Sequence, residues 1–185
     1  KFPNREIVIA VGYNARLVSD YVLGHWWTSR FTLAYVKYEG KGVGPGYSLL
    51  CCKDLLQCPF VYMACDTIVL EAIPEPSENW IGASKVKEKL PYLTLRTEGK
   101  LVKEVYDKGD AFATFTASIG LFGVHDYKAF WEGLSHPKKL VQGEHQDTSG
   151  LNALIPYNLH TKEFTWYDIG STEGYEQTKG YFESI

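Results

Sequence analysis

The sequence predicts an α/β domain with an antiparallel part, on three observations. Between Ile7 and Tyr38 the patterns run strand, helix, strand, the order of a βαβ unit. The apolar run Pro59-Phe60-Val61-Tyr62-Met63-Ala64 then breaks on Cys65-Asp66-Thr67, which suits a strand buried on both faces, as in a parallel sheet. From Trp80 onward short strand patterns meander and the chain closes on a helix, an order that adds antiparallel strands to the sheet.

Glu6 to Val11 is a buried-strand pattern broken by Gly12-Tyr13-Asn14, and Asn14 or a neighbour can cap the next helix. Ala15 to Leu23 carries Leu17, Val18, Tyr21 and Val22 as a helical stripe, and Gly24 ends it. Phe31 to Tyr38 alternates as a second strand, Gly40 to Gly46 is a glycine-rich loop, Tyr47 to Leu56 a helix, and Phe60 to Ala64 the third strand. Trp80–Ser84 and Tyr92–Leu95 read as strands, the latter turning at Glu98-Gly99-Lys100; Leu101–Tyr106 and Thr116–Val124 continue the β character. Asp126–Leu134, Gly150–Ile155 and Glu173–Ser184 read as helices, the last with Tyr175, Thr178, Lys179 and Phe182 along it.

At 185 residues the chain suits a single domain, long enough to bury about 70% of its extended surface. Its 13 Tyr and 5 Trp suit a packed core and stacking surfaces for flat ligands. A net charge of −3 argues against a broad nucleic-acid-binding face, and Lys85 to Lys89 and Lys138-Lys139 read as solvated surface. Cys51, Cys52, Cys58 and Cys65 contain no CxxC pair, which disfavours a zinc site. Cys58 and Cys65 flank or occupy the third strand, so they are expected to be buried, reduced thiols, and the protein cytoplasmic. No apolar run reaches the roughly 18 residues of a membrane helix, so no membrane partner is expected. The chain opens on Lys1 and enters a strand almost at once; it is expected to begin inside a larger protein.

Asp66 closes a strand, where open α/β sheets bind their ligands. A carboxylate there can hold a divalent cation against a phosphate, or cap the following turn. Trp166-Tyr167-Asp168-Ile169-Gly170-Ser171-Thr172 offers a second carboxylate in similar context, and the two aspartates can clamp one metal. The four glycines from Gly40 to Gly46 allow positive φ and close backbone approach to a ligand; an ordinary strand–helix connection needs nothing more. This loop is not a Walker A loop, since no Gly-Lys-Ser/Thr ends it. Gly120 within a strand fits close ligand approach or a bulge, and Thr116 or Ser118 can hydrogen-bond a polar substrate. His145 lies in the polar stretch Gly143-Glu144-His145-Gln146-Asp147-Thr148 and reads as a loop residue. Hydrolase, zincin and dehydrogenase motifs are lacking.

Phe60 to Thr67 and Trp166 to Thr172 resemble the two metal-site signatures of sugar-nucleotidyltransferase-type enzymes, and the resemblance spans Glu6 to about Phe182. It implies a Rossmann-like nucleotidyltransferase fold with a mixed central sheet. It also implies a magnesium-dependent reaction joining a nucleoside triphosphate to a sugar 1-phosphate with release of pyrophosphate, as in nucleotide-sugar biosynthesis. Asp66 and Asp168 would hold Mg2+, and Gly42, Gly44 and Gly46 would border the nucleotide base. Asp107-Lys108 after a hairpin arm resembles the family's acid-then-lysine pair, so Lys108 would bind the acceptor phosphate. The family more often has Glu at the first position and Pro after the Lys, where this chain has Asp107 and Gly109. Ser118 to Phe122 resembles the strand beside the acceptor, with Ser118 and Gly120 next to it. Two alternatives stand: a cytidylyltransferase acting on a phosphorylated amino alcohol such as phosphocholine, and a non-catalytic nucleotidyltransferase-like binding or regulatory module. The family's opening strand and Arg-bearing glycine-rich loop have no counterpart here. The chain is therefore expected to be the C-terminal part of a larger domain, its N-terminal strand–loop region missing and the fragment alone inactive. Assembly into a homo-oligomer is compatible with this reading.

Overall fold

The computed structural model describes residues 5–25, 30–37, 42–137 and 139–184. It is a mixed α/β structure. Strand β1 (Ile7–Val11) runs parallel to β2 (Phe31–Tyr35), with Ile7 opposite Phe31 and Val11 opposite Tyr35, and helix α1 (Ala15–His25) crosses between them. This is the expected βαβ unit, but α1 does not lay its apolar stripe on a core. Leu17 is 70% exposed and Tyr21 59% exposed, and the residue the helix buries is Ser19. The physical reason is the partner: among the described residues β1 and β2 pair only with each other, and two short strands offer a helix little apolar surface.

Helix α2 (Pro45–Leu50) and a 3-10 turn at Lys53–Leu55 replace the single helix expected over Tyr47–Leu56. Pro45 occupies the first helical turn, where its missing N–H costs nothing. Gly46 therefore stands inside a helix and not in the preceding loop; Gly40 lies outside the described residues.

Strand β3 (Phe60–Met63) forms one end of a six-stranded sheet of order β3-β8-β5-β9-β7-β6. The members are β5 (Trp80–Lys85), β6 (Thr94–Glu98), β7 (Leu101–Tyr106), β8 (Thr116–Val124) and β9 (His160–Glu163). The expectation of a parallel neighbour for β3 needs correction: β3 pairs antiparallel with β8, Phe60 facing Val124 and Met63 facing Leu121. Among the described residues the one parallel pairing in this sheet is β5 with β9, so the sheet is mixed. Apolar density alone did not distinguish a strand flanked by parallel neighbours from one at the edge of an antiparallel set. Only Phe60 of this strand is buried. The Cys58 and Cys65 thiols are correspondingly exposed and Cys52 is the buried one; burial, then the neighbouring Cys51, pushes the Cys52 thiol up to about 11. Strand β6 starts two residues later than the sequence pattern suggested, because Tyr92 and Leu93 are drawn into the loop before it.

Side chains alternate across the sheet, and both faces are filled. On one face Ile81, Phe122 and Val124 pack against Phe130, Trp131 and Leu134 of α3 (Tyr127–Ser135) and Leu151 of α4 (Thr148–Ala153). On the other, Trp80, Ile119 and Leu121 pack against Val69 and Phe164. Burial of each such side chain contributes about 1.5–3 kcal/mol relative to exposure. A two-stranded ribbon joins β4 (Thr67–Val69) to β10 (Trp166–Asp168), and α5 (Thr172–Glu183) follows directly. Among the described residues no helix is long and apolar enough to cross a membrane.

Candidate active site

The site is built around a bulge in β8. Between Ile81 and Ala83 of β5 the facing register jumps from Phe122 to Ser118, so β8 carries extra residues there. Gly120 sits in this bulge at φ 68, a conformation that side chains with a Cβ adopt only at a cost. A Cβ on Gly120 would also lie 2.9 Å from the Ala64 Cβ. The bulge is the socket for the turn that ends β3: Ala64 N donates to Gly120 O at 2.7 Å, and the buried Thr67 hydroxyl donates to Ile119 O. Asp66 is held at the tip of that turn, half-buried.

The antiparallel pairing of β10 with β4 sets Asp168 opposite Thr67. Ile169 N donates to Asp66 O at 2.9 Å, and Gly170 N donates to Asp168 Oδ1 at 2.9 Å. Both carboxylates then converge on one residue: a Cβ on Gly170 would lie 2.9 Å from Asp66 Oδ2 and 3.1 Å from Asp168 Oδ1. The two side chains that the sequence paired across a hundred residues thus face one small space. Among the described residues no cluster of three or more His, Cys, Asp and Glu is placed to hold a metal. Two carboxylates with room for water and phosphate oxygens suit magnesium, which seldom takes an all-protein cage.

Tyr92, from the loop before β6, points its hydroxyl at Asp168 Oδ2, 3.5 Å away. Burial, then the Asp168 charge, raises its phenol above the ordinary value. Tyr92, Trp166 and Asp168 wall one side of a cleft of about 390 Å³, and Ser171, Glu173 and Gln177 of α5 wall the other. Ser171 caps α5 by accepting from Gly174 N at 3.0 Å.

A second polar group lies where β7 meets α4. Asn152 clamps them together: its Oδ1 accepts from Val105 N and its Nδ2 donates to Val105 O, both at 3.1 Å. This brings the end of β7, Asp107-Lys108, beside the start of α4, Asp147-Thr148. The Thr148 hydroxyl donates to Asp107 Oδ1, and Lys139 Nζ stands 3.3 Å from Asp107 Oδ2. Both oxygens of Asp107 are therefore engaged by the protein, while Lys108 is exposed. Asp147 occupies the N-cap position of α4 without capping it. Burial pushes its carboxyl up to about 6, with Lys108 pulling the other way and Asp107 adding to the rise. The Tyr62 phenol is raised by burial and then by the charges of Asp147 and Asp66. The Tyr62 ring stacks on Phe122 at 4.7 Å.

The glycine-rich loop is tied to the segment that leads into α4. Gly42 N donates to Gly143 O at 2.8 Å, His145 N to Gly42 O at 3.3 Å, and Gly46 N to His145 O at 2.9 Å. His145 lies in a loop, as expected, but it is buried, 6% exposed, and forms part of a strap across the glycine-rich loop. Burial lowers its imidazole below the ordinary value. The N–H groups of Gly42 and Gly46 are consumed by the strap, and at Gly44 and Gly46 the backbone of His145 and Gln146 fills the space a Cβ would take, so of the three only Gly42 leaves room for a ligand's close approach. Ser118 is half-buried in β8, its N–H donating to Leu93 O at 2.8 Å. The Thr116 hydroxyl accepts from Lys85 Nζ at 2.6 Å.

The residues that sequence reasoning missed are Tyr62, Tyr92 and Asp147. Tyr62 was hidden in an apolar run, and Asp147 in a polar stretch whose signal went to His145.

No protein-family model matches the sequence, and no curated protein does. Solved structures do match the fold. A UDP-glucose pyrophosphorylase in its apo form superposes with a TM-score of 0.75 at 20% identity, over 96% of this chain and 81% of that one. A putative glucose-1-phosphate thymidylyltransferase from Bacillus anthracis gives 0.76 at 18% identity, over 97% and 76%. A nucleoside-diphosphate-sugar pyrophosphorylase from Vibrio cholerae RC9 gives 0.73 at 16% identity, over 95% and 81%. The chain has the Rossmann-like, mixed-sheet fold of these nucleotidyltransferases.

Proposed function

We propose that the chain belongs to an enzyme that joins a nucleoside triphosphate to a sugar 1-phosphate and releases pyrophosphate. The observation that carries this reading is the convergence of the Asp66 and Asp168 carboxylates on Gly170. The neighbours support it: one is a UDP-glucose pyrophosphorylase complexed with UDP-glucose, matching at 20% identity with a TM-score of 0.75. In the reaction an oxygen of the acceptor phosphate attacks the α-phosphate in line. The bond between that phosphorus and the bridging oxygen to the β-phosphate breaks, and pyrophosphate leaves with the electron pair. No covalent intermediate with the protein is required. Asp66 and Asp168 would hold a magnesium ion, which neutralises charge building on the reacting phosphates. Lys108, exposed at the end of β7, orients the acceptor phosphate. Ser118 and the Gly120 bulge form the floor beside the acceptor, and the strapped Gly42–Gly46 segment borders the base. The four free thiols fit a reducing, cytoplasmic setting.

The test is pyrophosphate release by the protein expressed from its full coding sequence, with magnesium and a panel of triphosphates and sugar 1-phosphates. Metal-dependent release with a defined pair supports the reading. Nucleotide binding without turnover on any acceptor would replace it with the non-catalytic module.

A further inference from the structure

The two carboxylates that face Gly170 are held to different degrees. Asp168 is engaged at both oxygens: Gly170 N donates to its Oδ1 at 2.9 Å, and the Tyr92 hydroxyl donates to its Oδ2 at 3.5 Å. Each oxygen keeps a second lone pair for a cation. Among the described residues no donor reaches the Asp66 carboxylate; its backbone oxygen alone is taken, by Ile169 N at 2.9 Å.

Tyr92 is placed for this contact by two sets of neighbours. Trp166 and Asp168 are two residues apart in β10, so their side chains leave the same face of the strand. Tyr92 lies across both. Its ring meets the Trp166 indole edge-on, with centroids 5.6 Å apart and planes at 77°, and its hydroxyl reaches Asp168. The loop that carries it is anchored on either side: Tyr92 N donates to Lys89 O at 3.3 Å, and Leu93 O accepts from Ser118 N at 2.8 Å. Leu93 is itself buried in the main core. Tyr92 thus ties Asp168 to β8 and to the large sheet. A donor that orients a metal-binding side chain in this way raises affinity without touching the metal. Resting on the reading of Asp66 and Asp168 as a magnesium pair, we propose that Tyr92 is a positioning residue whose hydroxyl aims Asp168 as the fixed ligand, while the Asp66 carboxylate, which has no such donor, swings to meet the cation.

The experiment is calorimetric titration of magnesium into the protein expressed from its full coding sequence, which reads binding without turnover. Tyr92→Phe keeps the ring against Trp166 and removes only the hydroxyl. It is expected to keep the metal-free unfolding midpoint of the wild type and to bind magnesium about tenfold to a hundredfold more weakly. In turnover the defect is expected as a raised magnesium requirement, with kcat at saturating magnesium little changed. Unchanged magnesium affinity in a folded Tyr92→Phe protein overturns the inference while the carboxylate pair stands. Loss of metal-free stability, or failure of Tyr92→Phe to fold, overturns it as well, because the hydroxyl would then serve the fold and not the site. A wild type that binds no magnesium removes the reading of the carboxylate pair, and this inference with it.

Discussion

Replacing Asp147 by Asn should stabilise the protein, and by an amount that depends on pH. The carboxyl is raised from an ordinary 3.8 to about 6, first by burial and then by Asp107, against the opposing pull of its own backbone N–H and of Lys108. The native state thus holds this proton more tightly than the unfolded chain does. Stability contributed by Asp147 is therefore highest in acid, falls as pH rises from about 4 to about 6, and is lowest above that. A rise of roughly two units at about 1.4 kcal/mol each gives a cost near 3 kcal/mol above pH 7. Partial exposure of the residue reduces this, so about 2–3 kcal/mol is expected. Asn cannot ionise and escapes the cost. The assay is urea unfolding of wild type and Asp147→Asn at intervals from pH 3.5 to 8. The variant's advantage should grow between pH 4 and 6 and level off above. A difference between Asp147→Asn and wild type that is constant across the whole range would refute the reasoning, because it would mean that Asp147 is solvated or paired in the native state.

Magnesium should raise the midpoint of thermal unfolding of the wild type, by the equivalent of about 1.4 kcal/mol at ten times the dissociation constant. Asp66→Asn and Asp168→Asn should each remove that shift and abolish turnover while keeping the native circular dichroism spectrum; a well-folded Asp66→Asn enzyme with unchanged turnover would end the catalytic assignment. Gly170→Ala places a methyl 2.9 Å from Asp66 Oδ2 and 3.1 Å from Asp168 Oδ1, so calorimetry should show magnesium affinity about tenfold weaker or more, at little cost to stability since the carboxylates can swing aside. Gly120→Ala meets φ 68 as well as the Ala64 Cβ at 2.9 Å, and should lower stability by about 2 kcal/mol in denaturant titration.

What was legible in the sequence was the set of signals that are local. The apolar run into Asp66, the Trp-Tyr-Asp-Ile-Gly segment and the glycine-bearing strand at Ser118 to Phe122 each announced itself within a few residues. The short strand β9, His-Thr-Lys-Glu, had no apolar period to announce it. It is a strand because Trp80 to Ala83 of β5 and Leu101 of β7 supply partners. Strand β4 was hidden because it follows the Asp66 turn without a break. The α1 stripe was legible as a helix, but periodicity reports which residues share a side and not what covers it. The clamp of Asn152 on Val105 and the stacking of Tyr62 on Phe122 are contacts that no spacing along the chain encodes.

The carboxylate pair itself depends on register more than on either aspartate's surroundings. Asp168 faces Asp66 because β10 pairs with β4 in the one alignment that sets Asp168 opposite Thr67. In a strand a slip of one residue turns every side chain to the other face. Trp166, half-buried against Val69, Trp80 and Phe164, resists that slip, because it would carry the indole out to solvent as it carried Asp168 away from the site. Thr67 resists it from the other side, its hydroxyl fixed on Ile119 O in the floor of the β8 bulge. The packing that secures the sheet's second core therefore also fixes the separation of the two acids. The fold holds Asp66 and Asp168 facing one space with a half-buried tryptophan on one strand and a buried threonine on the other.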